Sequence, residues 1–232
     1  MPSANQIDYV SQVKHRLAEP ILIVGAKIYD FDEDSFLPHL RSWGFRDITG
    51  IDLATGPGVD RVVDICEEHS EFTKVAHGSF GTVICMQVLY STANPFMAAH
   101  NIQQLLAPNG CLIFSDVFSH RIHRIPKDYW RFTYDAHKVL FESLTFDDAD
   151  ARVCVTRSRQ MLPLQYPFPE VLQHSRHDNE TKAGFFLRRV HRKLFATGIF
   201  CVSRFLPELS IFSCARKNIG TAPNGDNRPA TN

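Results

Sequence analysis

The sequence predicts an α/β protein with a mostly parallel sheet covered by helices on both faces. Three observations point there. Short, near-continuous apolar runs recur early in the chain: Ile21–Val24, Ile48–Leu53 and Val59–Val63. Strands buried on both faces read this way, whereas a half-exposed strand would alternate. Helix-like sequence separates the runs, as in Ser35 to Trp43, closed by Gly44. Each run also ends on a glycine or an acid, namely Gly25, Asp52 and Asp64. Sheets of this kind bind ligands at the carboxyl ends of their strands, so three candidate contacts share one edge.

In chain order, residues 3–18 form an amphipathic helix with Ile7, Val10, Val13 and Leu17 on one face; Ser3 and Gln6 have capping-box spacing. Pro20 ends it, and the first strand is Ile21–Gly25. The crossover helix turns Phe36, Leu37, Leu40 and Trp43 inward, with Pro38 tolerated in its first turn. Strand two is Ile48–Leu53 and strand three Arg61–Ile65, followed by a helix from Glu67 to Ala76 that ends near Gly78. Strand four, Thr82–Met86, leads through a polar loop, Tyr90–Asn94, to a helix opened by Pro95 and running to Leu106. Pro108-Asn109-Gly110 is a turn, since proline presets one backbone angle and glycine accepts another. Strand five is Cys111–Ser115, and a loop rich in His, Arg and aromatics spans Val117–Phe132. Thr133 caps a helix, Asp135–Ser143, and strand six is Ala151–Thr156. Residues 157–183 carry Pro163, Pro167 and Pro169 without periodicity and read as an irregular insertion. Residues 184–206 look helical, Leu209–Ala215 is the last strand, and the tail from Asn218 onward has a disordered composition.

At 232 residues and 44% hydrophobic, one α/β domain can bury a sizeable core. The expected organisation is one domain over 1–217, with 157–206 an insertion or lid between strands six and seven, and a tail at 218–232. Formal net charge is zero, and this overall balance points away from a nucleic-acid or membrane partner. The charge is unevenly spread. Residues 1–156 hold 13 basic and 20 acidic side chains, a net of −7, and residues 157–217 hold 11 and 4, a net of +7. The late basic segment, 184–206, reads as a lid over the substrate, a helix resting on an anionic membrane surface, or a solvated face packed on the sheet. Six cysteines without a CxxC pair read as free, mostly buried thiols in a reducing, cytoplasmic setting. No run of about 18 apolar residues spans a bilayer. No His/Cys/Asp spacing suggests a metal site.

Among candidate functional residues, Gly25 allows a ligand close to the backbone, or simply makes a strand-end turn. Asp52, closing strand two, can accept both hydroxyls of a ribose, or can be an exposed loop acid. Asp64 could meet a base. The dinucleotide fingerprint GxGxxG is absent after the first strand, which disfavours a nicotinamide-dependent dehydrogenase. Asp128, Tyr129, Trp130, Arg131 and Phe132 concentrate aromatic and charged groups. They suit a sugar or an anion. Their structural alternative is an Asp128–Arg131 ion pair with Trp130 and Phe132 packed beneath the next helix.

Several stretches together resemble the class I S-adenosylmethionine-dependent methyltransferases, and among them a type 11-like subgroup with a DYWRFT signature. ILIVGAK stands where that family has its first motif, and GIDLATGPGVDRVVD where it has its second and third. FGTVICMQVLYSTANP, LLAPNGCLIFSDVF, HRIPKDYWRFTYDAHKVLFE and ELSIFSCARK are similar to later parts, so the match spans about 20–156 and 207–217. The resemblance implies a Rossmann-like, doubly wound, seven-stranded sheet with an antiparallel last strand, and S-adenosylmethionine across the tips of strands one to four. It implies that Gly25, Ala26 and Lys27 face the methionine part, Asp52 and Leu53 the ribose, Asp64 and Ile65 the adenine, and Met86 and Gln87 the sulfonium. Lys27 and Tyr29 replace two motif glycines, Ile23 stands where an acid is common, and Tyr90-Ser91 where Glu-His is frequent. Lys27 could pair with the cofactor carboxylate in place of backbone donors. Methyl transfer asks mainly for alignment of donor and acceptor, and a hydroxyl acceptor gains from a base. His123 matches the pattern HxxPxDYWRF and is the candidate base; a hydrogen-bonded structural histidine is the alternative. His120, Tyr129, Trp130 and Arg131 are the candidate acceptor contacts. The expected acceptor is a small molecule, a sugar or a lipid-linked glycan methylated on oxygen. The competing expectation is a non-catalytic scaffold or partner subunit with an eroded first motif.

Overall fold

A computed structural model of the protein describes residues 4–30, 32, 34–120, 127–155, 160–164, 181–196 and 208–218. Nine strands and six helices are described: α1 (Ala4–Val13), β1 (Ile21–Val24), α2 (Phe36–Ser42), β2 (Ile48–Asp52), β3 (Arg61–Val62), α3 (Glu71–Val75), β4 (Phe80–Met86), α4 (Pro95–Leu105), β5 (Leu106–Ser119), α5 (Tyr134–Leu140), β6 (Leu144–Phe146), β7 (Arg152–Val155), β8 (Gln160–Pro163), α6 (Lys182–Ala196) and β9 (Leu209–Lys217).

The strands join one sheet in the order β3-β2-β1-β4-β5-β9-β7-β8, with β6 also paired to β9. β1 runs parallel to β2 and β4, and β4 parallel to β5. β9 is antiparallel to β5, as expected of the last strand. The sheet thus has nine strands rather than the expected seven. The extra two, β6 and β8, are short pieces that pair with β9 and β7 along hydrogen-bonding positions those strands leave open. Strand order reverses between β1 and β4, the point at which such sheets open a ligand crevice.

Why the early runs are continuously apolar is clear from their two faces. Leu22, Val24, Val83, Cys85, Leu112 and Phe114 pack in a cluster with α4 and α5 residues such as Ala98, Ile102 and Leu140. The intervening Ile21, Ile23, Ile84, Met86, Cys111 and Ile113 pack with Ile7, Val10 and Val13 of α1 and with Phe36 and Leu40 of α2.

Several boundaries differ from expectation. The helix expected over 67–76 is only α3, because 64–70 turns tightly around Asp64. The Pro108–Gly110 turn lies inside β5 as a bulge: Leu106 pairs with Phe80 and Cys111 with Thr82, so the residues between loop out, with Asn109 at φ 61°. The expected 184–206 helix starts earlier, at Lys182, and is described to Ala196; residues 197–206 lie outside the described residues, as do Ser3 and the tail beyond Asn218. Cys66, Cys85, Cys111, Cys154 and Cys214 are free thiols, and all but Cys66 are buried. No described helix is long and apolar enough to cross a membrane.

Candidate active site

The tips of β1, β2 and β3 are stitched to one another. The amides of Gly25 and Ala26 both donate to the carbonyl of Ile51, 2.9 and 3.0 Å away. Ile28 N donates to Pro57 O at 2.9 Å, which folds the Gly56–Gly58 turn back onto the loop after β1. Asp60 closes the arrangement by accepting from Gly50 N at 2.7 Å.

Asp52 ends β2 half-buried, at the rim of this edge. Its Oδ2 accepts from Lys27 N at 3.2 Å and its Oδ1 from Ala54 N at 3.1 Å. A carboxylate has about four acceptor positions, so one more on each oxygen remains for a pair of hydroxyls. Next to it Leu53 is 70% exposed, an apolar surface with nothing of the fold on it. Asp64 and Ile65 follow β3. Asp64 Oδ1 accepts from Cys66 N at 2.8 Å, and buried Asn101 of α4 donates to the carbonyls of Ile65 and Glu67, fixing this loop from below. This edge thus presents a carboxylate with spare lone pairs, an exposed leucine and a braced loop.

The loop after β1 and the end of β4 present a different surface. Gly25 has φ 73°, and a Cβ built on it would lie 2.5 Å from Val88 Cγ2. The close approach that this glycine permits is thus made by the chain's own Val88. Lys27 lays its stem along Gly56, and its ammonium sits 5.1 Å from the centre of the Tyr29 ring. Burial raises the Tyr29 phenol pKa, and the nearby Asp52 carboxylate raises it further. Met86 is buried at the end of β4, and Gln87 follows it at φ 54°, a left-handed conformation outside its usual range. Gln87 N donates to Ser115 O at 2.7 Å, and Gln87 Nε2 reaches Ser210 Oγ at 3.4 Å.

The segment carrying Tyr129, Trp130 and Arg131 is strapped to the turn after β4. Tyr129 N and Trp130 N both donate to Tyr90 O, at 3.0 and 3.1 Å, and the Trp130 indole donates to Thr92 O at 2.8 Å. Trp130 still exposes 37% of its surface and stacks on Phe132 at 6.4 Å. Arg131 is in a two-pronged bond with Asp128, so the ion-pair alternative is realised, and that bond raises the guanidinium pKa. Arg131 also donates to His120 O at 3.3 Å, while His120 Nε2 lies 3.8 Å from Glu208. His123 lies outside the described residues.

Two further side chains stand beneath this edge: Asp116, which the sequence reading did not single out, and Tyr90, which it named only as a departure from the family's fourth motif. Asp116 of β5 is fully buried. Its Oδ2 accepts from Tyr90 N at 2.9 Å and its Oδ1 from Val117 N at 2.8 Å. Burial pushes its pKa up to about 7 against the pull of those amides. Tyr90 is half-buried, and its phenol pKa is raised by burial and by Asp116 and Asp128. The only sequence signal for the pair is an acid inside an apolar strand and an aromatic in a polar loop.

Comparison with known proteins agrees with this architecture. A family model described as a methyltransferase domain matches residues 8–161. No curated protein matches the chain. Among solved structures, a SAM-dependent methyltransferase from Archaeoglobus fulgidus is 12% identical, with a TM-score of 0.52 over 91% of this chain and 92% of that one. A 1,6-didemethyltoxoflavin-N1-methyltransferase from Burkholderia thailandensis, solved with its substrate and S-adenosylhomocysteine, is 14% identical, with a TM-score of 0.52 over 92% of this chain and 76% of that one. The [4+2]-cyclase SpnF is 15% identical, with a TM-score of 0.51 over 93% of this chain and 82% of that one. At these identities the likeness concerns the fold.

Proposed function

The chain belongs to the methyltransferase-domain family, whose methyl donor is S-adenosylmethionine, and we propose that it methylates an oxygen of a small molecule, a sugar or a glycan on a lipid or nucleotide carrier. The observation that carries the donor site is Asp52: a half-buried carboxylate at the tip of β2 with acceptor positions to spare, beside exposed Leu53. Asp52 would take the ribose hydroxyls and Leu53 would lie against the base, with Asp64 and Ile65 at its edge. Gly25, Ala26 and Lys27 would meet the amino-acid end, where the Lys27 ammonium needs only to swing off the Tyr29 ring to pair with a carboxylate. Met86 and Gln87 would lie beneath the reacting centre. The bound donor supplies an already activated methyl group, so this chain's task is to orient the acceptor and to exclude water. His123 is the proposed base toward an acceptor hydroxyl. Exposed Tyr129 and Trp130 offer ring faces to a sugar, with His120 and Arg131 at the rim; the domain reading of 157–206 as a lid belongs to the same proposal.

A carrier lipid would bring the enzyme to a membrane surface, and α6 suits one. Phe186 and Leu187 are 65% and 66% exposed, in a helix carrying Lys182, Arg188, Arg189, Arg192 and Lys193 and no acid. Apolar residues among basic ones favour an anionic lipid interface.

A second reading keeps the fold without the chemistry. Lys27 and Tyr29 in place of motif glycines, with Val88 against Gly25, favour a non-catalytic scaffold. Transfer of tritiated methyl from S-adenosylmethionine onto lipid-linked oligosaccharides or nucleotide sugars decides between them. Label in an alkali-stable ether supports the proposal. Binding of the donor without transfer to any hydroxyl acceptor contradicts it.

A further inference from the structure

The turn after β4, residues 87–92, touches both the first strand tip and the segment bearing the exposed aromatics. Val88 fills the slot at Gly25, Gln87 closes β4, and the Tyr90 carbonyl receives the amides of Tyr129 and Trp130. Bonds within the turn, from Ser91 Oγ to Val88 O and from Thr92 Oγ1 to Leu89 O, both 2.9 Å, keep it compact. What fixes the turn to the sheet from inside is Asp116, whose carboxylate takes the Tyr90 amide on one oxygen and its own neighbour's on the other.

We propose that Asp116 is a positioning residue, whose carboxylate locks the 87–92 turn against β5 and so sets the shape of the donor site. The inference rests on the reading of this edge as the donor site.

The reasoning is geometric. Asp116 does not reach the cofactor, since it is fully buried. It acts through the turn's own backbone amides, Leu89 and above all Tyr90, which is held from both sides: its N–H by Asp116 and its C=O by the segment bearing the exposed aromatics. Loosening the inner bond frees that peptide and, with it, Val88, while Gln87 stays bonded to Ser115. An ionised carboxylate has acceptor positions for all these amides, whereas a protonated one turns an O–H toward them and loses one.

The groups facing Asp116 are the Cys85 thiol from β4, the Tyr90 phenol from the turn, and Arg131 from the 127–132 segment. Arg131 is engaged by Asp128. The thiol and the phenol both have pKa values raised by burial, so they stay neutral at ordinary pH, and the arginine stays charged. Among these, the carboxyl alone changes charge near neutrality, at about 7. The lock therefore tightens as pH rises through that value. Folding runs the other way. A carboxyl whose folded pKa is raised adds stability that is complete below its unfolded value, and that stability is lost as pH rises through about 7.

Calorimetric titration with S-adenosylhomocysteine from about pH 5.5 to about pH 8.5, alongside NMR of the Leu89 and Tyr90 amides, tests this. The wild-type Kd should fall by about tenfold over that range, with the Tyr90 amide titrating at the same midpoint. D116N sets an amide N–H against the turn's own N–H groups, so it should bind at least about tenfold more weakly at high pH, with no dependence on pH. A wild-type Kd that stays flat while the Tyr90 amide titrates, or D116N retaining the wild-type profile, overturns the lock. Should D116N fail to fold, coincidence of the two wild-type midpoints supports the lock and their separation overturns it. A wild type that binds at no pH removes the donor-site reading, and the lock with it.

Discussion

Replacing Gly25 by alanine tests how the first strand tip is built. Two terms add. Gly25 sits at φ 73°, where an L-residue costs about 1–2 kcal/mol. The new Cβ would also lie 2.5 Å from Val88 Cγ2, inside contact distance. Relief of such overpacking typically costs about 1–3 kcal/mol. G25A should thus lose about 2–5 kcal/mol. Gly78 provides the control, with φ 66° and nothing within 4 Å of its built Cβ, so G78A carries the backbone term alone. Urea unfolding with linear extrapolation gives both values. G25A should exceed G78A by about 1–3 kcal/mol, and adding V88A to G25A should recover most of that excess as a coupling energy. Equal costs for G25A and G78A, or no coupling between positions 25 and 88, would refute the packing argument.

His137 of α5 is fully buried against Phe114, with Nδ1 3.0 Å from Ser213 Oγ, and burial pushes its pKa down to about 3. Because the folded value is depressed, its contribution is present above the unfolded value near 6.5 and is lost as pH falls toward about 3. H137Q should therefore flatten the acid limb of a stability–pH curve by on the order of 5 kcal/mol; an unchanged limb contradicts the burial argument. F186S/L187S should reduce co-sedimentation of the full chain with vesicles of phosphatidylcholine and phosphatidylserine by about tenfold. Wild-type chain that pellets equally with pure phosphatidylcholine, or with neither, rules out the anionic surface.

The parts of the fold that could be read from the chain are those whose residues face two helical layers at once. Ile21–Val24 is apolar at every position because alternate residues enter opposite clusters. β6 and β8 escaped because their strand character is lent by a partner. Leu144-Thr145-Phe146 has no signal of its own and is a strand only because β9 runs on to Lys217 beside it. The Pro-Asn-Gly turn was legible, but its place inside β5 depended on where Phe80 and Thr82 set the register. The position of Asp52 at the tip of β2 was legible, since an acid ending an apolar strand is a local pattern. Asp116 has the same local pattern, one residue past the expected end of its strand, and only burial distinguishes it from a loop acid. The Asp128–Arg131 pair was legible from its spacing, whereas its anchorage to Tyr90 and Thr92 joins segments nearly forty residues apart.

The account stands on a nucleoside held by the carboxylate at the tip of β2, and titration of the intact chain with S-adenosylhomocysteine measures that most directly. Saturable one-to-one binding, weakened by about tenfold or more in D52A with the melting temperature of the free protein little changed, is the expected result. Absence of heat at millimolar ligand, or D52A binding as tightly as the wild type, would contradict it.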